Sequence, residues 1–109
     1  MAKHEFGMMK KPPGQNEVYV DYKPEKYDCI SVDDDYIQPL LEKLSRLDCY
    51  WHSLKRPEKG LTYTGITLIP PSSLEAFITV LDGATGTEEL KALLIKAEEE
   101  GKYIIHYGL

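Results

Sequence analysis

The chain has 109 residues, of which 42% are hydrophobic and 28% charged, and its formal net charge is −5. That length supports one modest core and leaves little for a second, and the composition excludes a disordered or collagen-like chain. No apolar run approaches the roughly 18 residues of a membrane helix, and the opening Met1-Ala2-Lys3-His4-Glu5-Phe6 lacks the apolar stretch of a signal peptide.

Residues 1–26 hold Pro12-Pro13-Gly14 and Lys23-Pro24 and show no sustained period. They read as an N-terminal arm or edge extension, partly irregular, with a short edge strand over 18–22. Residues 27–109 read as a single α+β domain. A first core strand spans 27–32, rich in β-formers. Ile37, Leu40, Leu41, Leu44 and Leu47 follow at helical spacing. Asp35 and Gln38 fit a capping box, with Pro39 tolerated in the first turn. Residues 49–54 and 61–69 read as a hairpin around a turn that carries Lys55, Arg56 and Lys59 as a small basic patch. Pro70-Pro71 stops the second of these strands. Ser72 and Glu75 then fit a capping box for a helix that buries Leu74, Phe77, Ile78 and Leu81. Thr87 caps a further helix with Leu90, Leu93, Leu94 and Ala97 inward, and Gly101 ends it. Residues 102–107 form the last strand. The order β-α-β-β-α-α-β predicts a four-stranded, mainly antiparallel sheet with helices on one face, in a ferredoxin-like arrangement.

Strand alternation divides this sheet into two faces. Ile30, Val32, Ile66, Leu68 and Ile104 supply an aliphatic face for the helices. Tyr27, Cys29, Tyr63, Tyr103, Ile105 and Tyr107 fall on the other, joined by Trp51 where the hairpin register agrees. An open face of this kind, with Tyr27, Trp51, Tyr63, Tyr103 and Tyr107 as its aromatic groups, marks an interaction site. The competing expectation is that the arm, through Val18, Tyr19 and Tyr22, covers it.

Charge favours some partners over others. Residues 1–26 carry five lysines against four acids, and residues 27–109 carry eight basic against fourteen acidic groups. The acidic body disfavours nucleic acid and anionic membranes and accommodates a basic protein partner. Lys59-Gly60-Leu61-Thr62-Tyr63 shares only an opening Lys-Gly and one aromatic with the third-strand motif of RNA-recognition domains. Without an export signal, the expected compartment is the cytoplasm, where Cys29 and Cys49 stay reduced.

Chemistry is sparsely signalled. Asp33, Asp34 and Asp35 cluster after a strand, where carboxylates can hold a hard divalent cation or serve a helix cap. With Met1 removed, the amine, two amides and the His4 imidazole can bind Cu(II) or Ni(II) in a square plane. Cys49 and His52 lie three apart on a strand and so face opposite ways, which argues against a nucleophile–base pair. No phosphate loop, HExxH, CxxC or Ser-His-Asp pattern is present, so no cofactor is indicated. The leading expectation is a non-catalytic interaction module that pairs as a homodimer or with a protein partner. The alternatives are a small-molecule pocket or enzyme over the same face, and a metal-dependent activity at residues 33–35.

Overall fold

The computed structural model describes residues 2–109. Its strands are β1 (Lys3–Met8), β2 (Ile30–Asp33), β3 (Asp48–Trp51), β4 (Pro57–Lys59), β5 (Ile66–Ile69) and β6 (Ile104–Tyr107). They form one six-stranded sheet in the order β2-β1-β6-β5-β3-β4. Every paired neighbour is antiparallel. A broken helical segment follows β2, made of α1 (Asp34–Ile37), a 3-10 turn (Gln38–Leu40) and α2 (Leu41–Leu44). Pro39 sits in that 3-10 turn, where its missing N–H interrupts the α ladder. The longer helices are α3 (Pro71–Leu81) and α4 (Glu88–Glu100). Among the described residues, no helix is long and apolar enough to cross a membrane.

The α+β class and the antiparallel sheet agree with the sequence, but the sheet has six strands where four were expected, and a ferredoxin-like order is not confirmed. The main reason is β1. Residues 3–8 fall within the stretch that the sequence marks as an arm, yet they lie inside the sheet, between β2 and β6. Phe6 is fully buried and pairs with Ile30 on one side and His106 on the other. A second difference is the hairpin. Residues 57–59 were read as a turn, but they form the outer strand against β3, and only residues 66–69 of the longer run are strand.

Both faces of the sheet are covered. Phe6, Val32, Ile69 and Ile104 pack with Leu74, Phe77, Leu90 and Leu94 in the core beneath the helices. Met9, Ile66, Leu68, Ile105 and Tyr107 form a second cluster on the opposite face, with Tyr19, Tyr27, Cys29 and Tyr103 against it. Ile66 and Leu68 therefore lie opposite to the face expected for them. The register sets this: Thr67 pairs with His106 and Ile69 with Ile104, which turns Thr67 and Ile69 toward the helices. All four residues of β5 and all four of β6 are buried, as expected for strands covered on both sides.

The helix ends refine the expected caps. Asp33, not Asp35, is the N-cap of α1, and its side chain accepts from the Asp35 N–H at 2.9 Å. Ser72 does not cap α3, whose N-cap is Pro70; the Ser73 hydroxyl instead donates to the Asp48 carbonyl at 2.6 Å. Thr87 occupies the N-cap position of α4 as expected, but its side chain makes no capping hydrogen bond. Gly101 ends that helix with φ of 65° and its N–H on the Ala97 and Glu98 carbonyls.

Candidate functional site

Two features of the structure bear on function: a buried polar chain beneath the helices and a cleft on the opposite face. The polar chain begins with β1. His4 and Phe6 share a face of that strand, so His4 enters the helix side of the sheet next to His106. Both imidazoles are fully buried. His4 Nε2 lies 2.7 Å from Asp34 Oδ1, and His4 Nδ1 lies 2.9 Å from His106 Nε2. His106 Nδ1 is 3.1 Å from the Thr67 hydroxyl, which accepts from the Thr62 N–H at 3.0 Å. The second Asp34 oxygen accepts from the Tyr63 hydroxyl at 2.7 Å and from the Gln38 amide at 2.8 Å.

A carboxylate can only accept, so His4 Nε2 carries a proton toward Asp34. With one proton on each imidazole, His106 Nε2–H donates to His4 Nδ1, and the Thr67 hydroxyl donates to His106 Nδ1. Every polar atom of the chain is then satisfied, and no buried side-chain nitrogen or oxygen among the described residues is left without a partner. Burial pushes His106 down to about 3, with the neighbouring His4 adding to the shift. Burial works to raise the Asp34 pKa, but hydrogen bonds from Tyr63, His4 and Gln38 outweigh it and hold it below the usual carboxylate value. The bond to Asp34 in turn raises Tyr63, which stays a phenol. This chain ties β1 to β6, β5 and α1, and it runs from the buried Thr67 and His106 to the partly exposed Tyr63 and the exposed Gln38.

The carboxylate cluster is thus divided between structural tasks. Asp33 caps α1, and Asp34 serves the histidine chain. Among the described residues, no group of three His, Cys, Asp or Glu side chains is arranged to hold a metal ion. The square-planar chelate expected at the start of the chain depends on Met1, which lies outside the described residues. His4 itself has both ring nitrogens engaged.

The cleft lies on the other face, where the expected aromatic surface is only partly assembled. Tyr27, Tyr103 and Tyr107 gather there. Tyr63 lies with Asp34 on the helix side instead. Trp51 shares the helix-side parity of Thr67, its partner across the strands, and its indole donates to the Gly60 carbonyl at 2.9 Å beneath the Arg56 guanidinium. The arm then crosses the assembled part. Tyr19 packs into the second cluster, and Tyr22 meets Tyr107 edge-on with ring centres 5.2 Å apart. His52 fixes the arm from the sheet side. The Tyr19 N–H donates to the His52 carbonyl at 2.7 Å, and His52 Nδ1–H donates to the Tyr19 carbonyl at 2.8 Å. His52 holds a left-handed backbone with φ of 64°, a conformation that a non-glycine residue keeps only where its surroundings enforce it.

Between the arm and the end of the sheet lies an open cavity of about 580 Å³. Its wall includes Val20 and Tyr22 from the arm, Lys3 at its exposed rim and Glu5 from β1, His52, and Ile66 and Tyr107 from the sheet. Glu5 is nearly buried, and one of its carboxylate oxygens accepts from the Tyr22 hydroxyl. The cavity thus joins apolar walls to a few convergent polar groups. Glu5 and His52 carry no site signal in the sequence, because residues 3–8 read as arm and His52 reads as part of a regular strand. Compared with known proteins, the chain matches no family model, no curated protein sequence and no solved structure.

Proposed function

We propose that the protein binds a small, largely apolar molecule through a cationic or hydrogen-bond-donating group that meets Glu5. The observation that carries this reading is the cavity of about 580 Å³ with a nearly buried carboxylate in its wall. Its size falls within the range of about 300–1,000 Å³ usual for ligand sites, and its apolar walls with few polar anchors suit such a molecule. The acidic balance of residues 27–109 favours the approach of a cation. The buried histidine chain acts in this account as a structural lock, and the role is binding rather than catalysis. A cytoplasmic setting fits the free thiols of Cys29 and Cys49.

Phenethylamine tests the reading as a probe with one aromatic ring and one ammonium group. Titration followed by NMR should shift the Tyr22, Ile66 and Tyr107 resonances saturably. Glu5→Gln should weaken the binding about tenfold, because it removes the charge that meets the ammonium. Absence of shifts at these residues, or equal binding by the variant, contradicts the reading.

A second reading, a protein-interaction module, is favoured by one observation. Val18, Val20 and Tyr22 recur at alternate positions of the arm and are all exposed. The arm, rather than the sheet it covers, would then meet a second copy or a protein partner.

A further inference from the structure

A second cavity, of about 420 Å³, lies along the arm and is chemically unlike the first. Lys10, Lys11 and Lys26 line it together with Tyr19 and Tyr27, and Glu17 is its single acid. Among the described residues, none of these three lysines is paired with a carboxylate. The Lys26 ammonium stands 5.5 Å from the centre of the Tyr27 ring. Outside the cavity lining, the Lys102 ammonium donates to the Lys10 backbone carbonyl at 2.8 Å. Glu17 accepts from the Gly14 N–H at 2.9 Å with one oxygen, and its carboxylate also stands at the Tyr19 hydroxyl, where it adds to burial in raising that phenol to about 12, so the anion is held on the lysine side of the cavity.

Like charges drawn together repel unless an anion joins them. The clustering is the more notable because the chain as a whole carries −5. Tyr19 and Tyr27 are half-buried, so ring faces and edges lie beside the ammonium groups. We infer that this cavity is a second binding site, for a small anion with a planar apolar body, of the aryl phosphate class. The phosphate lies among Lys10, Lys11 and Lys26, and the ring packs against Tyr19 and Tyr27. Charge-assisted hydrogen bonds hold the anionic end, and aromatic packing selects for the ring. This site goes beyond the proposed amine cleft, since it lies in a separate cavity and takes a ligand of opposite charge.

Phenyl phosphate, inorganic phosphate and phenol separate the two halves of the recognition. Phenyl phosphate should shift Tyr19 and Tyr27 saturably in an NMR titration at low salt, more strongly than inorganic phosphate, with phenol showing no saturable binding. Raising the salt should weaken the interaction by screening. The exposed double variant Lys11→Ala/Lys26→Ala should reduce affinity about tenfold or more, through the loss of two charge-assisted contacts. Its unchanged thermal midpoint would show that the fold is kept. The same variant should leave phenethylamine binding intact, so the two sites fail independently. Three results would overturn the inference: no saturable shift at Tyr19 and Tyr27, phenol binding as well as phenyl phosphate, or undiminished binding by the double variant. Equal affinity for inorganic and phenyl phosphate would overturn the aromatic half of the site.

Discussion

At the scale of single residues, the buried imidazoles decide how the fold responds to acid. His106 is fully buried, and its pKa falls from the ordinary 6.5 to about 3. Between these values the unfolded chain takes up a proton that the folded chain refuses. The stability that neutral His106 brings is therefore complete above about pH 6.5 and is lost as the pH falls toward 3. Asp34, lowered from its usual value, works in the same direction at the acid end of that range. Denaturant unfolding should accordingly show stability declining from pH 6.5 toward 3. His106→Phe keeps an aromatic ring, slightly enlarged, and removes both hydrogen bonds. It should cost roughly 2–6 kcal/mol at pH 7.5, because His4 Nδ1 and the Thr67 hydroxyl lose buried partners at about 1–3 kcal/mol each. The variant should also flatten the pH slope. A stability unchanged at pH 7.5, or an unaltered slope, would mean that the histidine chain is not the lock described above.

At the scale of elements, β1 carries the most weight. It places His4 beside His106 on one face and Glu5 at the cleft on the other, so the lock and the proposed binding group share one strand. Gly7 allows the closing turn of the arm to lie against it. A Cβ there would meet Cys29 Sγ at 2.6 Å, Tyr27 Cβ at 2.7 Å and the Tyr27 carbonyl at 2.8 Å. Backbone cannot yield as a flexible side chain does, so Gly7→Ala should destabilise by about 1–3 kcal/mol. It should also expose Tyr27 and Cys29, measurable as faster thiol labelling of Cys29. Wild-type stability with unchanged labelling would contradict this close approach.

The helices α3 and α4 and the last strand are legible in the sequence from apolar spacing, and the Gly101 stop from its glycine, while the expected side-chain caps at Ser72 and Thr87 do not form. β1 was not. Lys3-His4-Glu5-Phe6-Gly7-Met8 hides its alternation, since one buried row contains His4 in place of an aliphatic residue and the other contains Glu5 and Gly7. The reversed face of β5 has a related cause. Ile66-Thr67-Leu68-Ile69 is apolar on both parities apart from Thr67, so alternation alone cannot choose a face. Such a continuous run marks a strand covered on both sides, which is the signal that the arm lies over the sheet. Of the candidate site, Tyr107 could be found from alternation. Glu5 and His52 enter it through pairing and turn geometry that no local pattern encodes.

At the scale of the whole molecule, the arm converts an aromatic sheet face into a cleft. Burial raises Tyr107 to about 12, with the Lys23 backbone opposing the shift, so its hydroxyl stays protonated beneath the arm. The arm's lysines border the cavity proposed for an anion, and β1 brings the nearly buried Glu5 to the cavity proposed for a cation. A covered face suits a small ligand and leaves less surface for a partner, so the central claim is that this face holds a molecule rather than another chain. Native mass spectrometry on untagged protein tests it most directly, with phenethylamine added to wild type and to Glu5→Gln. The account predicts a monomer that carries one phenethylamine, with the adduct greatly reduced in the variant. A dimer or hetero-complex without the adduct, or a monomer that stays bare, would contradict it.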